Sequence, residues 1–178
     1  MVKLRKKCQK SQKNDFFLKF LKEIRHVLPI YIIRRCNYMH KLVTIQSDIN
    51  DCGPAVIYSL VKYYRGYVSM EKIRLDTNLS REGVTAYDIV LTLERYGFEA
   101  HGLSLTLNDI KNVSRPMILH LDYKKYNHYV LLVRVKKDIC TIMDPSKGLI
   151  KMSLDDLAKV WTRIAIRAIP SEIGRAHV

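Results

Sequence analysis

The segment from Gln46 to Ala55 reads Q-S-D-I-N-D-C-G-P-A, and it places a cysteine where a polar loop changes into an apolar, helix-forming run. Gly53 gives the turn backbone freedom and permits a neighbouring chain to approach closely. Pro54 suits the first helical position, where its missing N–H would be unpaired in any case. Cys52 is therefore predicted at, or just before, the N-terminus of a helix.

A thiol at a helix start differs chemically from an ordinary buried thiol. The partial positive charge of the helix end favours the thiolate, and the pKa of such a cysteine can fall well below the free value of about 8.5. Unpaired backbone N–H groups of the first turn point at whatever lies beside the sulfur, so one of them can stabilise an oxyanion. Gln46 is the side-chain donor expected for the other half of that oxyanion hole. These features favour a nucleophile at Cys52 over the alternative, a structural buried cysteine.

A thiol nucleophile needs a base, and near neutral pH the usual base is histidine. Four of the six histidines lie in terminal segments or after a turn: His26, His40, His101 and His177. His128 begins the predicted strand H-Y-V-L-L-V after the polar loop D-Y-K-K-Y-N, so it lies at a strand end where a cleft can open. His120, inside P-M-I-L-H-L, is expected to be a hydrogen-bonded histidine of the sheet. The sequence therefore favours His128 as the base.

The imidazole must be held in one tautomer by an acceptor, and Asp144 is well placed for that task. It ends a predicted strand just before an Asp-Pro turn, and the spacing from His128 allows a hairpin that brings the two side by side. The alternative, that Asp144 only shapes the turn, is compatible with this role. Cys52, His128, Asp144 and Gln46 thus form a complete set of nucleophile, base, orienting group and oxyanion donor.

Apolar spacing divides the chain into a helical half and an extended half. Up to residue 113 the spacing is helical, and it predicts helices at 53–64, 69–77 and 85–97, with a short helical turn at 106–113. After Pro116 the chain alternates, which predicts strands at 117–122, 128–136, 139–143, 149–151 and 163–169, with a last helix at 153–161. Helices followed by an antiparallel sheet are typical of an α+β fold.

Charge and cysteine usage restrict the function classes. The net charge is +14, but residues 1–41 carry +10 of it, so the remainder has only +4 and no nucleic-acid partner is expected. The four cysteines show no paired Cys/His spacing, so neither a structural zinc site nor a disulfide framework is predicted. Free thiols fit a reducing cytosolic setting. No run of about eighteen apolar residues occurs, so no membrane span is predicted.

Several separately spaced motifs resemble one family, the C39 peptidases. Those motifs are Q-S-D-I-N-D-C-G-P-A, Y-Y-R-G-Y, S-R-E-G-V-T-A-Y-D-I, R-Y-G-F-E-A, R-P-M-I-L-H, N-H-Y-V-L-L and M-D-P-S-K-G, and they cover residues 42–169. C39 peptidase domains are papain-like units at the N-terminus of bacterial ABC transporters that mature and export bacteriocins. The resemblance implies a papain-like fold, with a helical half packed on an antiparallel sheet, and assigns Cys52, His128, Asp144 and Gln46 the catalytic roles.

The function that this resemblance implies is cleavage of a leader from a secreted precursor peptide after a double-glycine-type motif. No metal or cofactor is expected for the domain, and ATP is expected only for a missing transporter part. The implied partners are the leader peptide and the transmembrane and ATPase domains of an ABC transporter, with the soluble domain on the cytoplasmic side of the bacterial plasma membrane. The alternative is a non-catalytic module that docks leader peptides for an exporter.

The two ends of the chain are interpreted separately from the peptidase-like region at 42–171. Residues 1–41 are basic, and apolar residues recur at helical spacing from Asp15 to Val27, which suits an interfacial helix on an anionic membrane surface or, equally, a helix that docks on a partner. Residues 172–178 read E-I-G-R-A-H-V, which one frame of a common sequencing adapter encodes. These residues are therefore expected to be library-derived and the gene truncated.

Overall fold

The computed structural model describes residues 41–81 and 83–171. The chain divides into two units, Met1–Lys41 and Leu42–Val178, and the account below concerns the second. The interfacial or docking helix predicted before residue 41 and the adapter-derived tail predicted at 172–178 lie outside the described residues. Among the helices that are described, none has the length and apolar character needed to cross a membrane.

The described chain begins with helices and continues as a sheet, so the predicted α+β class is confirmed. Five helices occur in the described residues: α1 (Cys52–Tyr63), α2 (Met70–Asp76), α3 (Ala86–Arg95), α4 (Leu107–Lys111) and α5 (Leu154–Val160). Six strands form one sheet: β1 (Phe98–Ser104), β2 (Met117–Asp122), β3 (Asn127–Lys136), β4 (Ile139–Asp144), β5 (Gly148–Ser153) and β6 (Trp161–Pro170).

The strands lie in the order β1-β6-β2-β3-β4-β5, and every neighbouring pair is antiparallel. The run from β2 to β5 consists of successive hairpins. The last strand, β6, lies inside the sheet between β1 and β2, with Phe98 opposite Pro170 and Met117 opposite Arg167. Strands that are distant in sequence therefore become neighbours at one side of the sheet.

Both faces of the sheet are buried, which accounts for the unbroken apolar runs in β2 and β3. On one face, Leu131 of β3 and Ile118 of β2 pack in a core with α1 and α3. On the other face, Val130 and Leu132 of β3 pack in a second core with α4 and α5. Because α1 lies directly on β3, the start of that helix and the start of that strand are held in one rigid arrangement.

The predicted helix starts and the predicted stop at Gly97 are confirmed. Ser69 and Ser153 each accept a hydrogen bond from the backbone N–H three residues later, and Thr85 forms a reciprocal capping box with Asp88. Gly97 follows α3 with φ +78, a left-handed conformation that favours glycine.

Three details differ from the sequence-based predictions. The first helix begins at Cys52, so Pro54 is its third residue and not its first. Trp161 begins β6 and does not end the preceding helix. Strand β1 was not predicted, because its interior Gly102 and exposed His101 weaken the strand pattern, and its pairing with β6 depends on residues sixty or more positions away.

Candidate active site

Cys52 is the first residue of α1, and its side chain is 7% exposed at the edge of the helical core. The helix can approach its surroundings closely here only because the next residue is glycine. A Cβ at Gly53 would overlap the Cγ2 methyl of Val84. Gly53 is not among the residues with positive φ, so close approach and not turn conformation accounts for the glycine.

His128 and Asp144 come together at one end of the sheet. The pairing of Leu131 with Met143 aligns β3 and β4 so that both residues lie near the same strand ends. His128 Nε2 lies 2.8 Å from Asp144 Oδ1, and the two residues are 4% and 1% exposed. Asp144 Oδ1 also accepts hydrogen bonds from the backbone N–H and the hydroxyl of Ser146, at 2.8 and 2.7 Å, so the carboxylate is held firmly.

The electrostatics of this pair favour a charged imidazolium and a charged carboxylate. Burial alone would lower the pKa of His128, but hydrogen bonds with Asp144 and Cys52 outweigh burial and raise the pKa to about 9. Burial alone would raise the pKa of Asp144, but hydrogen bonds from His128 and Ser146 outweigh it and lower the pKa to about 2. The histidine is therefore protonated at neutral pH.

Cys52 brings the start of the helix beside His128 of the sheet, because the thiol lies near enough to raise the pKa of the imidazole. Because Nε2 of the imidazole is engaged with Asp144, Nδ1 is the nitrogen left to face the sulfur. The order carboxylate, imidazole, thiol is the arrangement in which a base activates a nucleophile while a third group orients the base. The structure thus brings three of the four sequence-predicted residues together, with His128 bound to Asp144 and lying beside Cys52.

Gln46, the fourth residue, is anchored to both sides of the site. Its backbone N–H donates to the carbonyl of Pro145, next to Asp144, at 2.9 Å. Its side-chain Nε2 donates to the carbonyl of Ile49, in the loop that leads to Cys52, at 3.3 Å. An amide nitrogen has two N–H groups, so one remains for an oxyanion. Within the described residues, its buried Oε1 has no hydrogen-bond partner.

The other histidine of the sheet has a different environment. Nδ1 of His120 lies 2.9 Å from the hydroxyl of Thr162, and its ring packs at a tilt against that of Tyr129, with the centroids 5.0 Å apart. Burial lowers the pKa of His120, so it is neutral where His128 is charged. This is the satisfied sheet histidine that the sequence suggested.

Sequence reasoning missed the aromatic residues that cover the base. Tyr123 and Tyr126, at the tip of the β2–β3 hairpin, have ring centroids 6.4 and 6.2 Å from that of His128. Tyr126 is 49% exposed, so it forms part of the entrance to the site. In the sequence, the only indication of these aromatic residues is the loop D-Y-K-K-Y-N, which contains two tyrosines just before the candidate base.

Asp51, the residue immediately before the candidate nucleophile, binds a different partner from the one that its position favours. It occupies the cap position of α1, yet its side chain accepts no hydrogen bond from the helix. Both carboxylate oxygens bind Arg74 of α2 instead, at 2.6 and 3.1 Å.

As for metals, no group of three or more potential ligand side chains occurs in the part of the chain that the structure describes.

Comparison with known proteins identifies the same family that the sequence motifs resemble. The sequence model described as the Peptidase C39 family matches residues 40–172. A curated relative, the lactococcin-G-processing and transport ATP-binding protein of Lactococcus lactis, is 32% identical over 130 residues, which is 71% of this chain and 18% of the relative. The colicin V secretion/processing ATP-binding protein of Escherichia coli is 27% identical over 149 residues, 84% of this chain and 20% of the relative. The chain therefore spans about a fifth of the length of these relatives.

Two solved structures align with this chain over nearly the whole of their own length. The crystal structure of a double glycine motif protease from an AMS/PCAT transporter, in complex with the leader peptide, has a TM-score of 0.68 and 29% identity, and the match covers 72% of this chain and 91% of that one. The peptidase domain of Streptococcus ComA, a bifunctional ABC transporter of a quorum sensing pathway, has a TM-score of 0.67 and 30% identity, with 72% and 98% covered. The papain-like layout expected from the sequence is thereby confirmed.

Proposed function

The chain belongs to the Peptidase C39 family of cysteine peptidases, and we propose that it removes the leader from a secreted, bacteriocin-like precursor peptide by cleavage after a double-glycine motif. The observation that carries this proposal is the buried arrangement of three side chains, in which Asp144 binds His128 and His128 lies beside Cys52. Relatives named for processing and transport, and the solved double glycine motif protease with its leader peptide, support the substrate class.

The chemistry follows from the charge states of the three residues. Cys52 attacks as a thiolate, its proton having passed to His128, and forms a bond to the carbonyl carbon of the scissile bond. The negative charge that develops on the carbonyl oxygen is stabilised by the backbone N–H at the start of α1 and by the Gln46 amide. His128 donates its proton to the leaving amine, and the peptide bond breaks to leave a thioester on Cys52. A water molecule then gives a proton to His128 while its hydroxide attacks the thioester, and the C–S bond breaks to release the leader acid and to restore the Cys52 thiolate beside protonated His128.

The depth of the site supports selection for glycine. The thiol and the imidazole lie in residues that are only 7% and 4% exposed, and Tyr126 stands at the entrance. Substrate residues with little or no side chain around the scissile bond would approach such buried groups with the least steric hindrance. Glycine meets this condition better than any other residue.

The wider context is also part of the proposal. We infer that the domain acts on the cytoplasmic side of a bacterial plasma membrane, joined to the transmembrane and ATPase domains of an ABC transporter, because its curated relatives are transport ATP-binding proteins. The peptidase step itself needs no metal and no ATP, since each proton and electron pair is accounted for by the named side chains and water. The basic segment 1–41 is proposed to bind either an anionic membrane surface or a protein partner.

The direct test is cleavage of synthetic leader peptides by the full 178-residue chain. Peptides that end their leader in Gly-Gly or Gly-Ala should be cut at that position in buffer containing a chelator and no nucleotide. Matched peptides with Val-Val at the same two positions should not be cut. Cleavage at unrelated positions, or equal cleavage of the valine peptides, would contradict the proposed specificity.

A second test separates a peptidase from a module that only docks leaders. Iodoacetamide should alkylate Cys52 much faster than Cys140 at pH 7, as measured by mass spectrometry of the two tryptic peptides. Cys140 is an internal control because it is fully buried and its pKa is raised to about 11, by burial first and by Asp138 second. Alkylation of Cys52 no faster than that of Cys140 would support docking alone.

A further inference from the structure

The start of α1 contains an unusual arrangement of charge, which involves Asp51 and Arg74. An aspartate at a helix cap ordinarily accepts a hydrogen bond from a backbone N–H of the first turn. Asp51 does not, although its residue is only 3% exposed and its backbone carbonyl accepts the first helical hydrogen bond, from Ala55. The carboxylate is turned away from the helix that it precedes.

Arg74 accounts for this orientation. Its Nη2 and Nε bind the two oxygens of Asp51 at 2.6 and 3.1 Å, in the paired geometry that guanidinium and carboxylate groups favour. Arg74 lies on α2, a different element, and its side chain is 30% exposed. The paired geometry fixes the direction of the carboxylate as well as its charge.

The orientation matters because few backbone donors are present at this helix start. Pro54, the third residue, has no N–H, so the first turn offers only the N–H groups of Cys52 and Gly53. Neither N–H has an acceptor within the described residues. A carboxylate in the ordinary cap position would take the N–H of Gly53 and would place a negative charge beside the sulfur.

We infer that Arg74 is a positioning residue for the nucleophile, because it holds the Asp51 carboxylate off the helix start and leaves that end free for the oxyanion of the substrate. The inference rests on the proposed peptidase function. Arg74 touches neither the thiol nor the imidazole, so it acts through Asp51. Without Arg74, the same carboxylate would oppose every negative charge that forms at Cys52.

The kinetic test compares Arg74→Ala with the double variant Asp51→Ala/Arg74→Ala, using a Gly-Gly leader peptide. The single variant should lose about tenfold or more in kcat with little change in KM, and the double variant should recover most of that loss because the competing carboxylate is gone. Lys72→Ala is the matched control, since it removes a cation and an ion pair to Asp76 from the same helix, on an exposed side. It should leave kcat unchanged.

A measurement without substrate keeps the inference testable on its own. The ratio of Cys52 alkylation rates by anionic iodoacetate and neutral iodoacetamide should fall about fivefold or more in Arg74→Ala, because an uncompensated carboxylate beside the sulfur repels the anionic reagent. The double variant should restore the ratio. This result can hold even if no leader peptide is cleaved, so failure of the inference and failure of the proposed function are distinguishable.

Three outcomes would overturn the inference. One is a double variant that is folded by circular dichroism and yet as slow as Arg74→Ala. Another is a rise in KM with unchanged kcat in Arg74→Ala, which would make Arg74 a substrate contact. The last is an unchanged alkylation ratio in Arg74→Ala. Should the single variant unfold, Arg74→Lys serves in its place, because a lysine keeps the charge but cannot hold both oxygens of Asp51. Its kcat should fall below that of the double variant, in which the competing carboxylate is absent.

Discussion

Cys52 and Cys140 are both buried free thiols, but the residues around them differ in every respect that matters for reactivity. Cys52 begins a helix and lies beside a charged imidazole, that of His128. Cys140 lies inside strand β4, in the core on the far face of the sheet, where burial raises its pKa to about 11. Burial alone therefore does not decide whether a cysteine is structural or chemical.

The comparison shows which feature supplies the chemistry. Inside a sheet, the backbone N–H groups are used in hydrogen bonds to the neighbouring strands. Cys140, for example, lies between Val135 of β3 and Met152 of β5. At a helix start, the same groups remain available, and a partner from another element can reach the sulfur. The predictions below test whether that difference accounts for activity.

Cys52→Ala should have the largest effect and abolish cleavage, because no other group forms the thioester. Cys140→Ala should leave turnover near that of the wild type, although it removes a core side chain. Turnover of a Gly-Gly leader peptide measures both. The contrast between the two thiols would fail if Cys140→Ala lost activity while keeping its thermal stability.

His128→Ala should lower kcat by roughly a thousandfold or more, since the members of a catalytic unit fail together. His120→Ala is the matched control on the neighbouring strand, and its turnover should change little because its ring is bound to Thr162. The assignment of the base would be wrong if the two variants exchanged these phenotypes.

Gln46→Ala should lower kcat by roughly a hundredfold to a thousandfold, the usual effect of removing one oxyanion donor. KM should change little, because the interaction forms in the transition state and not with the bound substrate. A variant that loses affinity and keeps its turnover would make Gln46 a substrate-binding residue.

The smallest expected effect is a shift in pH dependence. Above about pH 9, kcat/KM should fall, because His128 then loses the proton that it gives to the leaving amine. In Asp144→Asn this upper limb should move down towards pH 6.5, the usual pKa of histidine. An upper limb that stays at the same pH in the variant would show that Asp144 does not hold the proton on His128.

The pH dependence of the free energy of unfolding should depend on the same two residues, His128 and Asp144. His128 has a raised pKa, so its contribution to stability is complete below about pH 6.5 and is lost as the pH rises through 9. Asp144 has a lowered pKa, so its contribution is complete above about pH 4 and is lost as the pH falls towards 2. Urea unfolding should therefore show that the wild type loses its advantage over Asp144→Asn at both extremes.

The sequence was informative where structure depends on neighbours in the chain. The caps at Ser69, Thr85 and Ser153 and the stop at Gly97 depend on residues within one turn, and the pattern predicted each of them. The contact of His128 with Asp144 depends on one hairpin, and it too was predicted, although its catalytic role stays a prediction.

The sequence was uninformative where structure depends on distant partners. Nothing near Asp51 indicates that Arg74, on another helix, turns its carboxylate away from the cap position. For Gly53 the sequence predicted that a neighbouring chain could approach closely, but it could not identify that neighbour as Val84. Strand β1 was missed for the same reason, because its identity as a strand depends on pairing with β6.

The position of β6 inside the sheet has a consequence for the order in which the molecule assembles. The hairpins from β2 to β5 can form as soon as each is synthesised, but β1 has no neighbour in the sheet until Trp161–Pro170 has emerged from the ribosome. Closing the sheet then joins segments some seventy residues apart, a slow step that leaves the edges of β1 and β2 exposed to other chains meanwhile. A nascent chain should therefore be most dependent on chaperones during the synthesis of this last strand.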